Sequence, residues 1–176
     1  VLILRRAFKA YRGTTQTTLH CKGYQVMWIK NAWYIAGWAS EVTTDKLLAR
    51  EFLSEPVIMY RTQDGSIVAL EDRCCHRHAP LSKGRLEGDA VRCMYHGLKF
   101  DASGQCIEIP GETEVHSQYR VRRYPLVEKM NLLWIWMGEP DLADAADIAD
   151  WPYLEDEGWS YSEGYLHYAA SYLLGV

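Results

Sequence analysis

Between residues 33 and 137 the apolar positions come in short runs broken by glycine, proline, asparagine and aspartate, a pattern of strands rather than helices. Residues 33–38 are aromatic and apolar, and residues 56–61 and 66–71 flank Asp64-Gly65, a dipeptide suited to a hairpin turn. Further short strands are expected at Ala90–Arg92, 98–101, 106–109, 119–127 and 131–137, separated by turn-prone stretches such as Ala102-Ser103-Gly104 and Pro110-Gly111. Residues 44–53 alone read as helical. The pattern predicts an all-β, small antiparallel β architecture.

Composition and charge divide the chain into segments. Residues 1–26 hold Arg5, Arg6, Lys9, Arg12 and Lys22 without an acid, a basic leader expected to be disordered and to lie outside the fold. Residues 139–157 hold Glu139, Asp141, Asp144, Asp147, Asp150, Glu155, Asp156 and Glu157 without a base, the pattern of a solvated acidic connector. An aromatic stretch follows (Trp151, Tyr153, Trp159, Tyr161, Tyr165, Tyr168, Tyr172), whose packing partners are expected to be missing from the chain. The expected organisation is a leader at 1–26, a globular domain at 27–140, and the connector with the start of a further domain at 141–176. No apolar run reaches the ~20 residues needed to span a bilayer, so no membrane is implied. The net charge of −4 over 176 residues gives no reason to invoke nucleic acid. Five cysteines are too few and odd in number for a disulfide scaffold, and reduced Cys21, Cys75 and Cys106 suit a cytoplasmic location.

The chemistry is concentrated in Cys74-Cys75-His76 and Cys93-Met94-Tyr95-His96, with sixteen residues between His76 and Cys93. One residue separates Cys74 from His76 and two separate Cys93 from His96. A single zinc ion is usually gripped by pairs two to four residues apart, so the first pair is too tight to close on one tetrahedral centre. In an extended loop, positions i and i+2 point the same way, so Cys74 and His76 face a common, wide object while Cys75 faces away. A cluster of two irons and two sulfides, with two Cys on one iron and two His on the other, has that width. Cys75 is expected to pack behind the loop, and His78 to be a partly exposed neighbour.

The run Glu71-Asp72-Arg73-Cys74-Cys75-His76-Arg77-His78-Ala79-Pro80-Leu81-Ser82, with Arg92-Cys93-Met94-Tyr95-His96-Gly97-Leu98-Lys99-Phe100-Asp101, resembles the Rieske domain of Rieske non-haem iron oxygenases. Within them it is most similar to the oxygenase (α) subunit of the vanillate O-demethylase type, and the resemblance covers residues 27–174. It implies a Rieske-type β-sheet sandwich with a two-loop cluster-binding subdomain. It also implies a 2Fe-2S cluster as cofactor, held by Cys74 and Cys93 on one iron and His76 and His96 on the other. Arg77, His78 and Tyr95 would then lie on the docking surface. The partners implied are a flavin or ferredoxin-type reductase and a catalytic oxygenase domain or subunit acting on aromatic substrates.

In respiratory Rieske proteins each loop carries an extra Cys and a hydroxyl follows the second His-Gly. Here no extra Cys lies between Cys93 and His96, and Leu98 follows Gly97. Fewer hydrogen bonds to the cluster place its expected potential toward the low end of the Rieske range, near about −150 mV. The oxygenases of this family also hold a mononuclear iron on two His and one carboxylate. His20, His116 and His167 offer no such pair, so the chain is expected to stop before the catalytic domain. The alternatives are a free-standing Rieske ferredoxin and a structural zinc module.

Overall fold

A computed structural model describes residues 18–21, 24–167 and 169, with side chains from Trp28 onward. Of the leader at 1–26, residues 1–17 and 22–23 therefore lie outside the described residues, as do Tyr168 and Tyr172. The strands are β1 (Thr18–Cys21), β2 (Tyr24–Met27), β3 (Ala32–Trp38), β4 (Leu48–Phe52), β5 (Glu55–Arg61) and β6 (Ile67–Glu71), followed by β7 (Arg85–Glu87), β8 (Ala90–Arg92), β9 (Lys99–Phe100), β10 (Cys106–Glu108), β11 (Leu126–Lys129) and β12 (Leu132–Met137). Among the described residues there is no α-helix, only 3₁₀ turns, and no helix is long and apolar enough to cross a membrane. The fold is all-β and its strand pairs run antiparallel.

Residues Ala39–Leu126 form one compact unit, and the described parts of Val1–Trp38 and Val127–Val176 form another. The first unit contains the sheets β4-β5-β6 and β10-β9-β8-β7. They share one core, built from Ile58, Tyr60, Val68 and Leu70 of the first sheet and Val91, Phe100 and Cys106 of the second. β5 is the middle strand of its sheet, and Val57, Ile58, Met59 and Tyr60 are all completely buried. Each such side chain contributes about 1.5–3 kcal/mol of burial, which explains why the apolar run is continuous instead of alternating. The Tyr60 hydroxyl still finds a partner, donating to the Asp89 carbonyl at 3.0 Å.

Residues 44–53, expected to be helical, instead contain β4. Leu48, Arg50 and Phe52 are partly buried while Ala49 and Glu51 are exposed, and the strand pairs with β5 from Leu48↔Met59 to Phe52↔Glu55. Leu, Ala, Arg and Glu favour helices locally, but a half-buried edge on β5 outweighs that preference. The expected strand at 119–127 is also different. Only its end enters β11, and the remainder runs between two sheets as a connector: the Tyr119 carbonyl accepts from the Cys106 N–H at 2.8 Å and the Arg122 carbonyl from the Glu71 N–H at 2.8 Å. β1, β2, β4 and β7 are strands that periodicity did not reveal, and β1 and β2 pair antiparallel across residues of the leader that were expected to be disordered.

In the second unit the sheet order is β11-β12-β3, and every residue of β12 is buried. Met130, Leu132, Trp134 and Ile148 form its core with Trp33, Ile35, Trp38, Trp151 and Leu154 packed against them. The acidic segment is folded back by its few apolar residues, through 3₁₀ turns at Pro140–Leu142, Ala145–Asp147 and Pro152–Leu154. The Trp33 indole donates to the Asp144 carbonyl at 2.8 Å. Part of the aromatic stretch also finds partners: Trp151 packs against Trp134 with centroids 5.6 Å apart, and Tyr161 stacks on Trp38 at 5.9 Å. Trp159 and Tyr165 are exposed.

Candidate metal centre

Two turns carry the four candidate ligands, and they are built on one backbone plan. In the first, the His78 N–H donates to the Cys74 carbonyl at 2.8 Å, and the Cys74 N–H donates to the Ala79 carbonyl at 2.9 Å. In the second, the Gly97 N–H donates to the Cys93 carbonyl at 3.2 Å, and the Cys93 N–H donates to the Leu98 carbonyl at 2.8 Å. Each turn thus closes from Cys to the fourth residue onward, and that residue adopts positive φ: 54° at His78 and 78° at Gly97. The first loop is therefore a closed turn, not the extended segment that the i, i+2 argument assumed.

The thiols and imidazoles are sorted by depth. Cys74 and Cys93 are each only 2% exposed, whereas His76 and His96 lie at the surface with ring centroids 4.6 Å apart. Burial pushes the Cys74 thiol up to about 12, a backbone hydrogen bond from the His76 side opposes it, and the Cys93 thiol within hydrogen-bonding reach adds to the rise. Two facing thiols and two facing imidazoles thus stand as like pairs. Among the described residues no three Cys, His, Asp or Glu side chains are grouped as the ligands of one metal ion would be. Cys75 packs partly buried behind the loop against the core, as its spacer position suggested, and burial pushes its thiol up too. Cys74, Cys75, Cys93 and Cys106 are all unbridged. His116 lies against Tyr119 with centroids 6.2 Å apart, and His167 is exposed. The side chain of His20 is outside the described residues.

The sequence reading missed the supports of the two turns. The buried Asp72 carboxylate accepts from the Ser82 N–H and the Ser82 hydroxyl, both at 2.6 Å, which ties together the two ends of the first loop. Pro110 packs onto Gly97, where an added Cβ would sit 2.8 Å from the proline Cγ. Arg92 donates through Nη1 to the Gly97 carbonyl at 2.8 Å, at the end of the second turn. Asp72, Ser82 and Arg92 all lie within or beside the motif, but their partners could not be read from spacing.

The Rieske [2Fe-2S] domain model matches residues 32–125, more than half of the chain. The chain belongs to the Rieske [2Fe-2S] domain family. Its relatives include the toluene-4-sulfonate monooxygenase system iron-sulfur subunit TsaM1 of Comamonas testosteroni, 49% identical over 150 residues that make up 85% of this chain and 43% of the relative. The vanillate O-demethylase oxygenase subunit of a Pseudomonas species (strain HR199) is 36% identical over 150 residues, covering 85% of this chain and 42% of that protein. Among solved structures, dicamba monooxygenase with non-haem iron and dicamba superposes with a TM-score of 0.69 at 43% identity, over 73% of this chain and 39% of that one. The chain thus spans less than half the length of the relatives it matches. The cofactor of a Rieske domain is a Rieske-type 2Fe-2S cluster, and the residues here suit it. Buried soft thiols at depth and imidazoles at the surface are the donor set that such a cluster takes from two loops.

Proposed function

We propose that this chain binds a Rieske 2Fe-2S cluster through Cys74, His76, Cys93 and His96 and serves as the electron-relay part of an oxygenase component acting on aromatic substrates. The observation that carries the reading is the sorting of ligands by depth: both thiols are 2% exposed while both imidazoles reach the surface. When bound, the cluster supplies storage of one electron between a donor and an acceptor. Cys74 and Cys93 would hold one iron as thiolates, so loading the site would require loss of both thiol protons. His76 and His96, both exposed, would hold the other iron and lie on the side open to partners.

Around those imidazoles the surface is suited to transient docking. Met94 is 62% and Tyr95 56% exposed, and Arg73, Arg77 and His78 of the first loop are exposed as well. The partner on the donor side is a flavin or ferredoxin-type reductase. The acceptor is a mononuclear iron centre, in further sequence or in another subunit, where the aromatic substrate is oxidised. The location is cytoplasmic. The organisation that goes with this reading is a Rieske domain at 27–140 between a leader at 1–26 and an acidic connector into a catalytic domain at 141–176. Names of relatives support the oxygenase reading: each of the two curated ones is called an iron-sulfur or oxygenase subunit of a monooxygenase or demethylase system.

Iron and sulfide analysis of anaerobically prepared protein tests the ligand set. The unaltered chain is expected to hold two irons and two sulfides, and Cys74→Ser, Cys93→Ser, His76→Ala and His96→Ala are each expected to lose most of them. Cys75→Ser and His78→Asn are expected to keep the full complement. Zinc at one ion per chain with no sulfide would overturn the reading.

A further inference from the structure

A guanidinium that is not among the four candidate ligands braces the second ligand turn. Arg92, in β8, is 13% exposed at its side chain and has a carboxylate on each flank. Its Nε donates to both oxygens of Glu87 in β7 at 2.9 Å, and its Nη1 and Nη2 reach the two oxygens of Glu108 in β10 at 2.9 and 2.8 Å. The remaining Nη1 proton goes to the Gly97 carbonyl at 2.8 Å. Glu87 is engaged further by Arg85 at 2.6 Å and Lys99 at 3.3 Å. The hydrogen bond from Arg92 is the main reason that both carboxyls lie below the usual carboxylate range, Glu87 at about 2. Both therefore stay charged at neutral pH.

We propose that Arg92 is a positioning residue for the cluster: it fixes the Gly97 carbonyl, and through it the turn from Cys93 to Gly97 that carries His96, against the β7–β8–β10 frame. The proposal rests on the cluster-binding reading above. Only the planar fork of a guanidinium can hold the two Glu108 oxygens, Glu87 and the carbonyl at once, because an ammonium is a point donor without that fixed geometry. The turn is closed by its own backbone hydrogen bonds and by Pro110 against Gly97, but Met94, Tyr95 and His96 are all exposed. Removing the guanidinium would release the Gly97 carbonyl and leave Glu108 beside the site without its ion-pair partner, while Glu87 would keep Arg85 and Lys99. Negative charge near the cluster disfavours the added electron, so the potential is expected to fall.

The test compares Arg92→Lys and Arg92→Gln with Arg85→Gln, which touches the same Glu87 but has its side chain 66% exposed. Three quantities are read on the full chain: amide exchange at Cys93 and Gly97 without metal, the half-life of the cluster after reconstitution, and its midpoint potential. Both Arg92 variants are expected to speed amide exchange and shorten the cluster half-life at least threefold, with Arg85→Gln unchanged. Arg92→Gln is also expected to lower the reduction constant at least threefold, about 28 mV for a one-electron couple. Should Arg92→Gln fail to fold, Arg92→Lys and Glu108→Gln carry the exchange and half-life comparison, while Glu108→Gln, which removes a negative charge, is not expected to lower the potential. A lower melting temperature with unchanged exchange, half-life and potential would reduce Arg92 to a strut of the sheet and overturn the proposal. If the unaltered chain takes up no cluster while amide exchange still responds to Arg92→Lys, the cluster reading fails, and with it the role assigned to Arg92 toward the cluster.

Discussion

His78 and Gly97 occupy the same place in two turns of one plan, yet only one of them is glycine. His78 adopts a φ of 54° with its side chain exposed at the surface. Gly97 does not have that room: its φ of 78° combines with Pro110, whose Cγ would lie 2.8 Å from an added Cβ. A non-glycine residue held at positive φ costs about 1–3 kcal/mol, and the contact with Pro110 adds to it. Gly97→Ala is therefore expected to lower thermal stability by more than His78→Ala does, in thermal denaturation of the metal-free chain. It is also expected to shorten cluster retention. Equal effects of the two substitutions would contradict the account of the turns. At this scale the candidate ligands were legible, because Cys-x-His and Cys-x-x-His are local spacings with few other uses. The supports were not, because Arg92 meets a carboxylate sixteen positions away at Glu108, and Ser82 reaches Asp72 ten positions back.

Among the elements, hairpin turns decide where the strands begin. Leu53 and Ser54 join β4 to β5 with φ of 51° and 65°, and Met130 and Asn131 join β11 to β12 with φ of 59° and 60°. Two positive values in a two-residue loop are what a type I′ turn requires, and Asn-Gly is the sequence that adopts it at least cost. Asp64-Gly65 displayed such a signal and its hairpin was legible, whereas Leu53-Ser54 displays none and β4 was mistaken for helix. At Met130 the strain is offset by burial, since the side chain is 1% exposed and its sulfur accepts from the Trp151 N–H at 2.8 Å. Leu53 is only half-buried and Ser54 is exposed. Replacing both, Leu53→Asn with Ser54→Gly, is expected to raise the melting temperature by a few degrees, the effect of about 1 kcal/mol in a domain of this size. A lower melting temperature would show that Leu53 is held by packing instead.

For the whole molecule, all-β class was legible because short apolar runs and turn chemistry agree over much of the chain, and the runs at 56–61 and 131–137 fall in the buried strands β5 and β12. How the aromatic residues after the acidic segment pack was not legible, because the partners of Trp151 and Tyr161 are Trp134 and Trp38, far back in the chain. The central claim is that two thiols and two imidazoles, sorted by depth on twin turns, hold one two-iron centre of low potential. Its most direct test is electron paramagnetic resonance of the dithionite-reduced chain, recorded during a redox titration. The account predicts a rhombic one-electron signal averaging below the free-electron g value, with imidazole nitrogen couplings lost on replacing His76 or His96, and a midpoint near about −150 mV. A reduced protein without that signal, or one whose signal survives both histidine replacements, would contradict it.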